Sequence, residues 1–103
     1  MKPVVLTEQA KKRIEGIHYL SKQYNGSTGQ SHQDKLLDLM RKHIEEIEEL
    51  ARKGDQHFLT ETGDLAVLCF ELLLEHEKDL NNVLSLCFER YENKLHSLLN
   101  EKT

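Results

Sequence analysis

Two pairs of acidic residues, each spaced three apart, have the types and spacing that could do chemistry. Glu46 and Glu49 lie in the run HIEEIEEL, and Glu61 and Asp64 lie in TETGDL, beyond a break at Gly54. Residues i and i+3 are neighbours on a helix surface. Carboxylates brought together repel one another, by about 4 kcal/mol for a pair at roughly 4 Å near a protein surface, unless a cation offsets the charge. Because Mg²⁺ and Mn²⁺ prefer carboxylate oxygens, the pattern predicts a divalent-metal site.

The spacing alone also allows a purely structural interpretation. Helix starts favour acidic side chains because the helix dipole is positive there, and this suffices to explain Glu61 and Asp64. Ordinary salt bridges explain the acids of the first run, with Lys42 and Lys53 as the cations. Spacing by itself does not decide between a metal site and these salt bridges.

The acids of the first run do not share one environment. At 100° per residue, Glu45 and Glu48 fall well away from the apolar stripe of their helix, and we expect them to be solvated. Glu46 and Glu49 fall at the margin of the stripe, where we expect partial burial that holds them in place. Glu46 and Glu49 are therefore the better candidates for ligands.

The spacing of the apolar residues predicts four helices and no strand. Thr7 and Thr60 are placed to cap the first and third helices, and Gly54 is placed to end the second. The composition of residues 24 to 34, YNGSTGQSHQD, predicts a mobile loop. The expected helices run, in chain order, from Thr7 to about Gln23, from about His32 to Lys53, from Thr60 to about Lys78, and from about Leu80 to Leu99.

The run LAVLCFELLL, residues 65 to 74, is apolar except for Glu71. A helix that is apolar nearly all round must be buried nearly all round, and three other helices in a chain of 103 residues can hardly enclose it. We therefore expect one domain over residues 1–103, an all-α four-helix-type bundle completed by oligomerisation as a homodimer or homotetramer. Glu71 lies two turns beyond Asp64 on the same face, so it either supports the ligands or meets a cation of a partner chain.

Composition narrows the class of partner and the compartment. The 14 basic residues are outnumbered by 18 acidic ones, which argues against binding to a nucleic-acid polymer. Cys69 and Cys87 lie in apolar runs and are expected to be buried thiols rather than a disulfide or a zinc site. The N-terminal residues lack the apolar core of a signal peptide, and no apolar run is long enough for a membrane span. We expect a cytoplasmic protein without a membrane partner.

The chain resembles the MazG-like all-α nucleoside triphosphate pyrophosphohydrolases in two motifs. The run EEIEE contains that family's ExxE motif at Glu46 and Glu49, and ETGDL contains its ExxD motif at Glu61 and Asp64. The similarity extends over roughly residues 32 to 99. The paired motifs are specific for the family but not for its substrate.

The resemblance implies a Mg²⁺-dependent hydrolase, with Mn²⁺ as an alternative, that converts a (d)NTP to the (d)NMP and pyrophosphate in nucleotide-pool house-cleaning. The four acids of the two motifs become its metal ligands and catalytic residues. The family's phosphate-binding lysine falls on Arg90, which can also grip phosphate, and Lys94, one turn further, is a second phosphate ligand. The family's asparagine falls on Phe88, which is a departure. Arg90 and Lys94 also have a plain interpretation as surface charges.

Other interpretations stay open. A non-catalytic helical interaction or nucleotide-sensing module on the same scaffold is favoured by Phe88. No feature specially favours a phosphoribosyl-ATP pyrophosphohydrolase of the same superfamily. Glu15 and His18 match the ExxH motif of di-iron bundles, but those bundles need two such motifs and this chain has one. Tyr19 is a candidate for stacking on a nucleobase, with ordinary packing as the alternative.

Overall fold

Four α-helices joined by short connections make up the chain in the computed structural model, which describes residues 4–101. No residue in this range is in a strand, so the predicted all-α class with four helices is confirmed. Over the same range, no helix is both long and apolar enough to cross a membrane. The helices are α1 (Glu8–Gly26), α2 (His32–Arg52), α3 (Phe58–Glu75) and α4 (Leu80–Glu101).

Local hydrogen bonds fix the ends of α1 and α2. The Thr7 side-chain oxygen accepts from the backbone N–H of Ala10 at 3.1 Å, and the Ser31 side chain does the same for Asp34 at 3.1 Å. Each bond satisfies one of the amides left without a partner in a first helical turn. Gly54, with φ of 71°, lies just beyond α2 in the left-handed region that glycine adopts without a Cβ clash. The predictions for Thr7 and Gly54 are confirmed.

The predicted start of α3 at Thr60 is wrong. α3 begins at Phe58, so Thr60 lies inside its first turn. Asp55 causes the earlier start, because its Oδ1 accepts from the backbone N–H of His57 at 2.9 Å and turns the chain before the helix begins. This connection is therefore shorter than the sequence pattern indicated.

The connection between α1 and α2 is also shorter than predicted. It comprises residues 27–31 rather than 24 to 34. The hydroxyls of Ser27 and Thr28 donate to the carbonyls of Tyr24 and Asn25, at 2.6 and 2.7 Å. The small polar residues that predicted a loop thus cap the end of α1 instead.

α2 and α3 form the most extensive helix pair, α1 packs on both, and α4 packs on α3 mainly near its own start. Asn81 anchors that start, because its Oδ1 accepts from the amides of Val5 and Leu6 at 3.1 and 2.6 Å. The core made by these contacts is small. Its buried apolar side chains, in the described range, are Ile14, Leu36, Leu68 and Leu80.

Both cysteines are free thiols, as the sequence predicted. Neither is fully buried, since Cys69 and Cys87 are only partly covered. Partial burial raises the pKa of the Cys69 thiol, which makes it a weaker nucleophile at neutral pH.

The surface of the single chain is larger than its mass requires. It measures 7918 Å², whereas a compact monomer of 12.0 kDa exposes roughly 6,000 Å². The radius of gyration is 16.5 Å, against about 13 Å for a compact domain of this length. One apolar face of α4, which we call the α4 seam, is part of this exposed surface. Its members, each at least 45% exposed, are Phe88, Tyr91, Leu95, Leu98 and Leu99.

Candidate functional site

One group of potential metal ligands forms where α2 faces the beginning of α3. It consists of His43 from α2 and Glu61 and Asp64 from consecutive turns of α3, and we call it the His43 cluster. One ligand atom from each residue lies within 4.8 Å of the others. The structure thus brings the second predicted acidic pair together with a histidine that the motif did not include.

The hydrogen bonds of His43 determine which ring nitrogen faces the acids. Its Nδ1 lies 2.8 Å from the carbonyl oxygen of Leu39, so Nδ1 carries a proton and donates it. Its Nε2 lies 3.4 Å from Glu61 Oε2, and the other Glu61 oxygen lies 3.3 Å from His57 Nε2. A neutral His43 therefore turns a lone pair towards a carboxylate oxygen. Two acceptors face each other stably only when a proton or a metal cation lies between them.

The first predicted pair is not part of this cluster among the described residues. Glu46 and Glu49 are both exposed, so the expected partial burial is wrong: no helix in the described part of the chain covers that edge of α2. Glu49 Oε1 lies 2.9 Å from Lys53 Nζ, and this hydrogen bond and charge hold the pKa of Glu49 below its usual value and raise that of Lys53. This is the salt bridge of the structural interpretation. Glu48 pairs with Arg52 at 3.3 Å on the solvated face.

A cavity of about 320 Å³ opens beside the His43 cluster. Two polar residues, His43 and Asp64, line it, and the other lining residues, Ile17, Val67 and Leu68, are apolar. Its volume lies at the lower end of the range for small-molecule sites. The cavity therefore suits a ligand with a charged part and an apolar part.

The proposed substrate contacts lie away from this cluster in the single chain. Arg90 and Lys94 are exposed on α4, and the Arg90 guanidinium carbon lies 4.9 Å from the ring centre of Tyr91. Tyr19 is 63% exposed, and its hydroxyl accepts a hydrogen bond from Gln23 Nε2 at 3.0 Å. Phe88, the departure from the family pattern, is exposed in the α4 seam.

A second group of potential ligands lies where α1, α2 and α3 meet. It consists of His18, His32 and Glu71, again with one ligand atom each within 4.8 Å, and we call it the His18 cluster. Glu71 is only 3% exposed and accepts a short hydrogen bond from Ser21 Oγ. Burial lowers the pKa of His32, and the negative charge of Glu75 opposes this shift without cancelling it. Because Ser21 donates to it, Glu71 has its hydrogen-bond partner within its own chain.

His43 and His32 were missed because the motifs name only acids, and His18 was considered only with Glu15 in an ExxH motif. A sequence signal for His43 exists: it lies seven residues after Leu36, which is fully buried, and so falls on the core side of α2. His57 lies four residues before Glu61, the spacing of side-chain neighbours on a helix. For His18 and His32 no local spacing indicates the contact, because they lie on different helices.

Comparison of the chain with protein-family models, with curated proteins and with solved structures found no match. The functional interpretation therefore depends on the geometry of the site and on the two motifs.

Proposed function

We propose that the chain is a divalent-metal-dependent nucleoside triphosphate pyrophosphohydrolase of the MazG-like kind. The observation that carries the proposal is the meeting of Glu61 and Asp64 with the Nε2 side of His43, beside an open cavity. The resemblance in the two motifs supplies the reaction, in which a (d)NTP and water give the (d)NMP and pyrophosphate. The cavity supports a nucleotide because both polar and apolar residues line it.

The donor set of the His43 cluster fits a divalent ion. It offers two carboxylates and one imidazole whose Nδ1–H is already donated to a backbone carbonyl, the arrangement usual for a metal-ligating histidine. Glu46, one turn from His43 on α2, would complete the set, as would Glu49 once Lys53 releases it. A bound ion would neutralise charge on the triphosphate and lower the pKa of water.

The residues of the chain then have separate tasks. The apolar wall of Ile17, Val67 and Leu68 would hold the base and exclude water from one side of the triphosphate. Glu61 is flanked by His43 and His57, whereas Asp64 is exposed and forms no salt bridge within residues 4–101. Asp64 is therefore the carboxylate that would orient the attacking water and accept its proton. A new P–O bond forms as the anhydride bond between the α- and β-phosphates breaks.

We further propose that a second copy of the chain completes the site. Within residues 4–101, Arg90 and Lys94, the proposed phosphate ligands, form no ion pair with the acids of the His43 cluster and do not line its cavity. The chain exposes about 1,900 Å² more surface than a compact monomer of its mass. This area is similar in size to the area that each chain buries in an obligate dimer. Pairing through the α4 seam would bury the apolar residues and bring Arg90 and Lys94 of α4 towards the partner chain, in a dimer or a tetramer built from dimers.

The decisive experiment is a substrate panel. The purified chain is incubated with each common NTP and dNTP, with Mg²⁺ or Mn²⁺, and pyrophosphate is measured. We expect metal-dependent release from at least one triphosphate. If no triphosphate releases pyrophosphate and the melting temperature does not rise when metal is added, the proposal is contradicted. The non-catalytic module is then favoured, and in it Glu49 serves only its salt bridge with Lys53.

Two adjacent salt bridges on α2 provide a matched pair of variants. Glu48→Gln and Glu49→Gln each remove one exposed i, i+4 pair, with Arg52 and Lys53 respectively, so both should change the melting temperature equally little. Only Glu49→Gln should slow pyrophosphate release, by about tenfold or more, because only Glu49 is a proposed ligand. Equal rates for the two variants would assign Glu49 to the salt bridge alone.

His43 predicts the metal preference of the site. Mg²⁺ is a hard cation that takes oxygen ligands, whereas Mn²⁺ is a first-row transition ion that also accepts a nitrogen ligand, so the wild-type chain should bind Mn²⁺ more tightly. His43→Gln should weaken Mn²⁺ binding by roughly 10- to 100-fold, with a smaller effect on Mg²⁺. Titration of free Mn²⁺ by electron paramagnetic resonance measures this, with exposed His96→Gln as the control. Unchanged Mn²⁺ binding in His43→Gln would remove His43 from the site.

A further inference from the structure

We propose that the His18 cluster is a second, structural metal site, which binds a zinc-like divalent transition-metal ion through His18, His32 and Glu71. This site is separate from the His43 cluster and would join three helices rather than act on substrate. Two imidazoles and one carboxylate from three different helices are a donor set that such ions favour.

The positions of the donor atoms support a common ion. His18 Nδ1 lies 3.5 Å from Glu71 Oε1, close to the spacing of about 3.4 Å between two ligands that are each about 2.1 Å from a tetrahedral ion. The other nitrogen of His18, Nε2, lies 3.2 Å from Glu75 Oε2. The second nitrogen of a metal-bound histidine commonly donates to a carboxylate. Glu75 lies within reach for this role, although its Oε2 accepts no hydrogen bond from the residues described in this structure, so a small rotation of the His18 ring or of Glu75 would form the bond.

Two buried ring nitrogens in the cluster lack hydrogen-bond partners. They are His18 Nδ1 and His32 Nε2, and His32 as a whole is only 9% exposed. Leaving a buried polar atom unpaired costs free energy. Protonation of His18 would give its Nδ1 a partner in Glu71 but would leave His32 Nε2 alone. A single cation bound by both nitrogens satisfies both, and this favours a metal over a proton.

The negative charge of the cluster also favours a bound cation. Glu71 and Glu75 bring two negative charges, and among the described residues Lys22 pairs with them, 3.2 Å from Glu75 and 57% exposed at its side chain. Within residues 4–101, Glu71 forms no salt bridge with a lysine or arginine. Burying a carboxylate without a full countercharge is costly. A divalent ion would offset that charge.

The orientation of the Asn25 amide determines which ring nitrogen of His32 carries the proton. The side-chain nitrogen of Asn25 lies 2.9 Å from His32 Nδ1, and both residues are buried. When this N–H donates, the ring proton of His32 sits on Nε2. Turning the amide by 180° offers its oxygen to an Nδ1–H and leaves a lone pair on Nε2. Metal binding therefore requires only an exchange of the amide atoms, which does not change the packing.

A structural ion would compensate for the small apolar core of this chain. α1 contributes a single buried apolar side chain, Ile14, and the contacts of His18 and Ser21 with Glu71 add a polar link between α1 and α3. Small domains with insufficient cores often use a metal ion as a cross-link. At an ion concentration about 100 times Kd, binding should raise the melting temperature by roughly 10–20 °C.

The test titrates the untagged, metal-free chain with Zn²⁺ and Co²⁺ in the absence of nucleotide. We expect a visible Co²⁺ spectrum typical of tetrahedral sites and about 100-fold weaker Zn²⁺ binding in His32→Gln and Glu71→Gln. His76→Gln, on an exposed histidine, and His43→Gln should retain this binding, which separates the result from the fate of the catalytic proposal. Equal Zn²⁺ affinity in His32→Gln or Glu71→Gln and the wild type would overturn the site.

A measurement on the wild-type chain covers the case in which a variant fails to fold. Long-range ¹H–¹⁵N spectra report each histidine ring nitrogen separately. Zn²⁺ should shift the signals of His18 Nδ1 and His32 Nε2, the two atoms without partners. Zn²⁺ that shifts only His43 and His57, or no ring at all, would equally overturn the proposal.

Discussion

Replacing Asp64 with Asn or Glu61 with Gln is expected to reduce metal-dependent pyrophosphate release by about 100- to 1,000-fold. Each change removes a negative charge from the His43 cluster while keeping the shape of the side chain. Asp64→Asn is the cleaner of the two, because Asp64 is exposed and the loss of its charge leaves no buried group without a partner. Steady-state release of pyrophosphate, with the most active triphosphate, measures the effect.

Controls distinguish lost chemistry from lost structure. Glu45→Gln removes a charge from the exposed side of α2 and should leave the rate unchanged. Circular dichroism should show the same helix content in all three variants. Glu61→Gln also removes the carboxylate that faces His43 and His57, so its melting temperature needs to be compared with that of Asp64→Asn. A wild-type rate in Asp64→Asn would show that this acid is not catalytic.

The parts of the fold that local sequence determines were predictable. Thr7 and Gly54 mark helix ends because a cap and a left-handed residue act on their immediate neighbours. The start of α3 was misplaced because both Asp55 and Thr60 can hydrogen-bond the backbone near it. Asp55 accepts from the amide of His57, so the helix begins before Thr60 can cap it. Helix existence followed from apolar spacing, whereas one boundary depended on which local hydrogen bond is formed.

The parts that depend on other helices were not predictable. Partial burial of Glu46 and Glu49 needs a neighbouring helix at that edge of α2, and a helical wheel carries no information on where neighbours lie. The contact between Ser21 and Glu71 joins residues 50 positions apart. The sequence left two interpretations of Glu71 open, support for the metal ligands or a contact with a cation of a partner chain, and its contacts are with Ser21 and His18 of its own chain. Spacing predicts faces of helices, but tertiary packing decides what those faces meet.

The α4 seam is the exposed apolar surface that we expect a partner chain to cover. Phe88, Tyr91, Leu95, Leu98 and Leu99 all fall within about 60° of one line along the helix at 100° per residue, and all are at least 45% exposed. Asn93 lies on the opposite side of α4. A continuous apolar stripe of this length on a charged surface is typical of a buried helix face. This is the physical basis for expecting a second copy to cover it.

Leu95→Glu should therefore dissociate the proposed dimer. A charge buried in an apolar interface without a partner costs several kcal/mol, which corresponds to a dissociation constant raised by about 100-fold or more. Light scattering coupled to size-exclusion chromatography should give a dimeric or larger mass for the wild-type chain and a monomeric mass for Leu95→Glu. Asn93→Glu adds the same charge on the other side of α4 and should keep the wild-type mass. If the phosphate ligands Arg90 and Lys94 act on the partner's cluster, Leu95→Glu should also lose pyrophosphate release, whereas a monomeric and active wild-type chain would contradict the shared site.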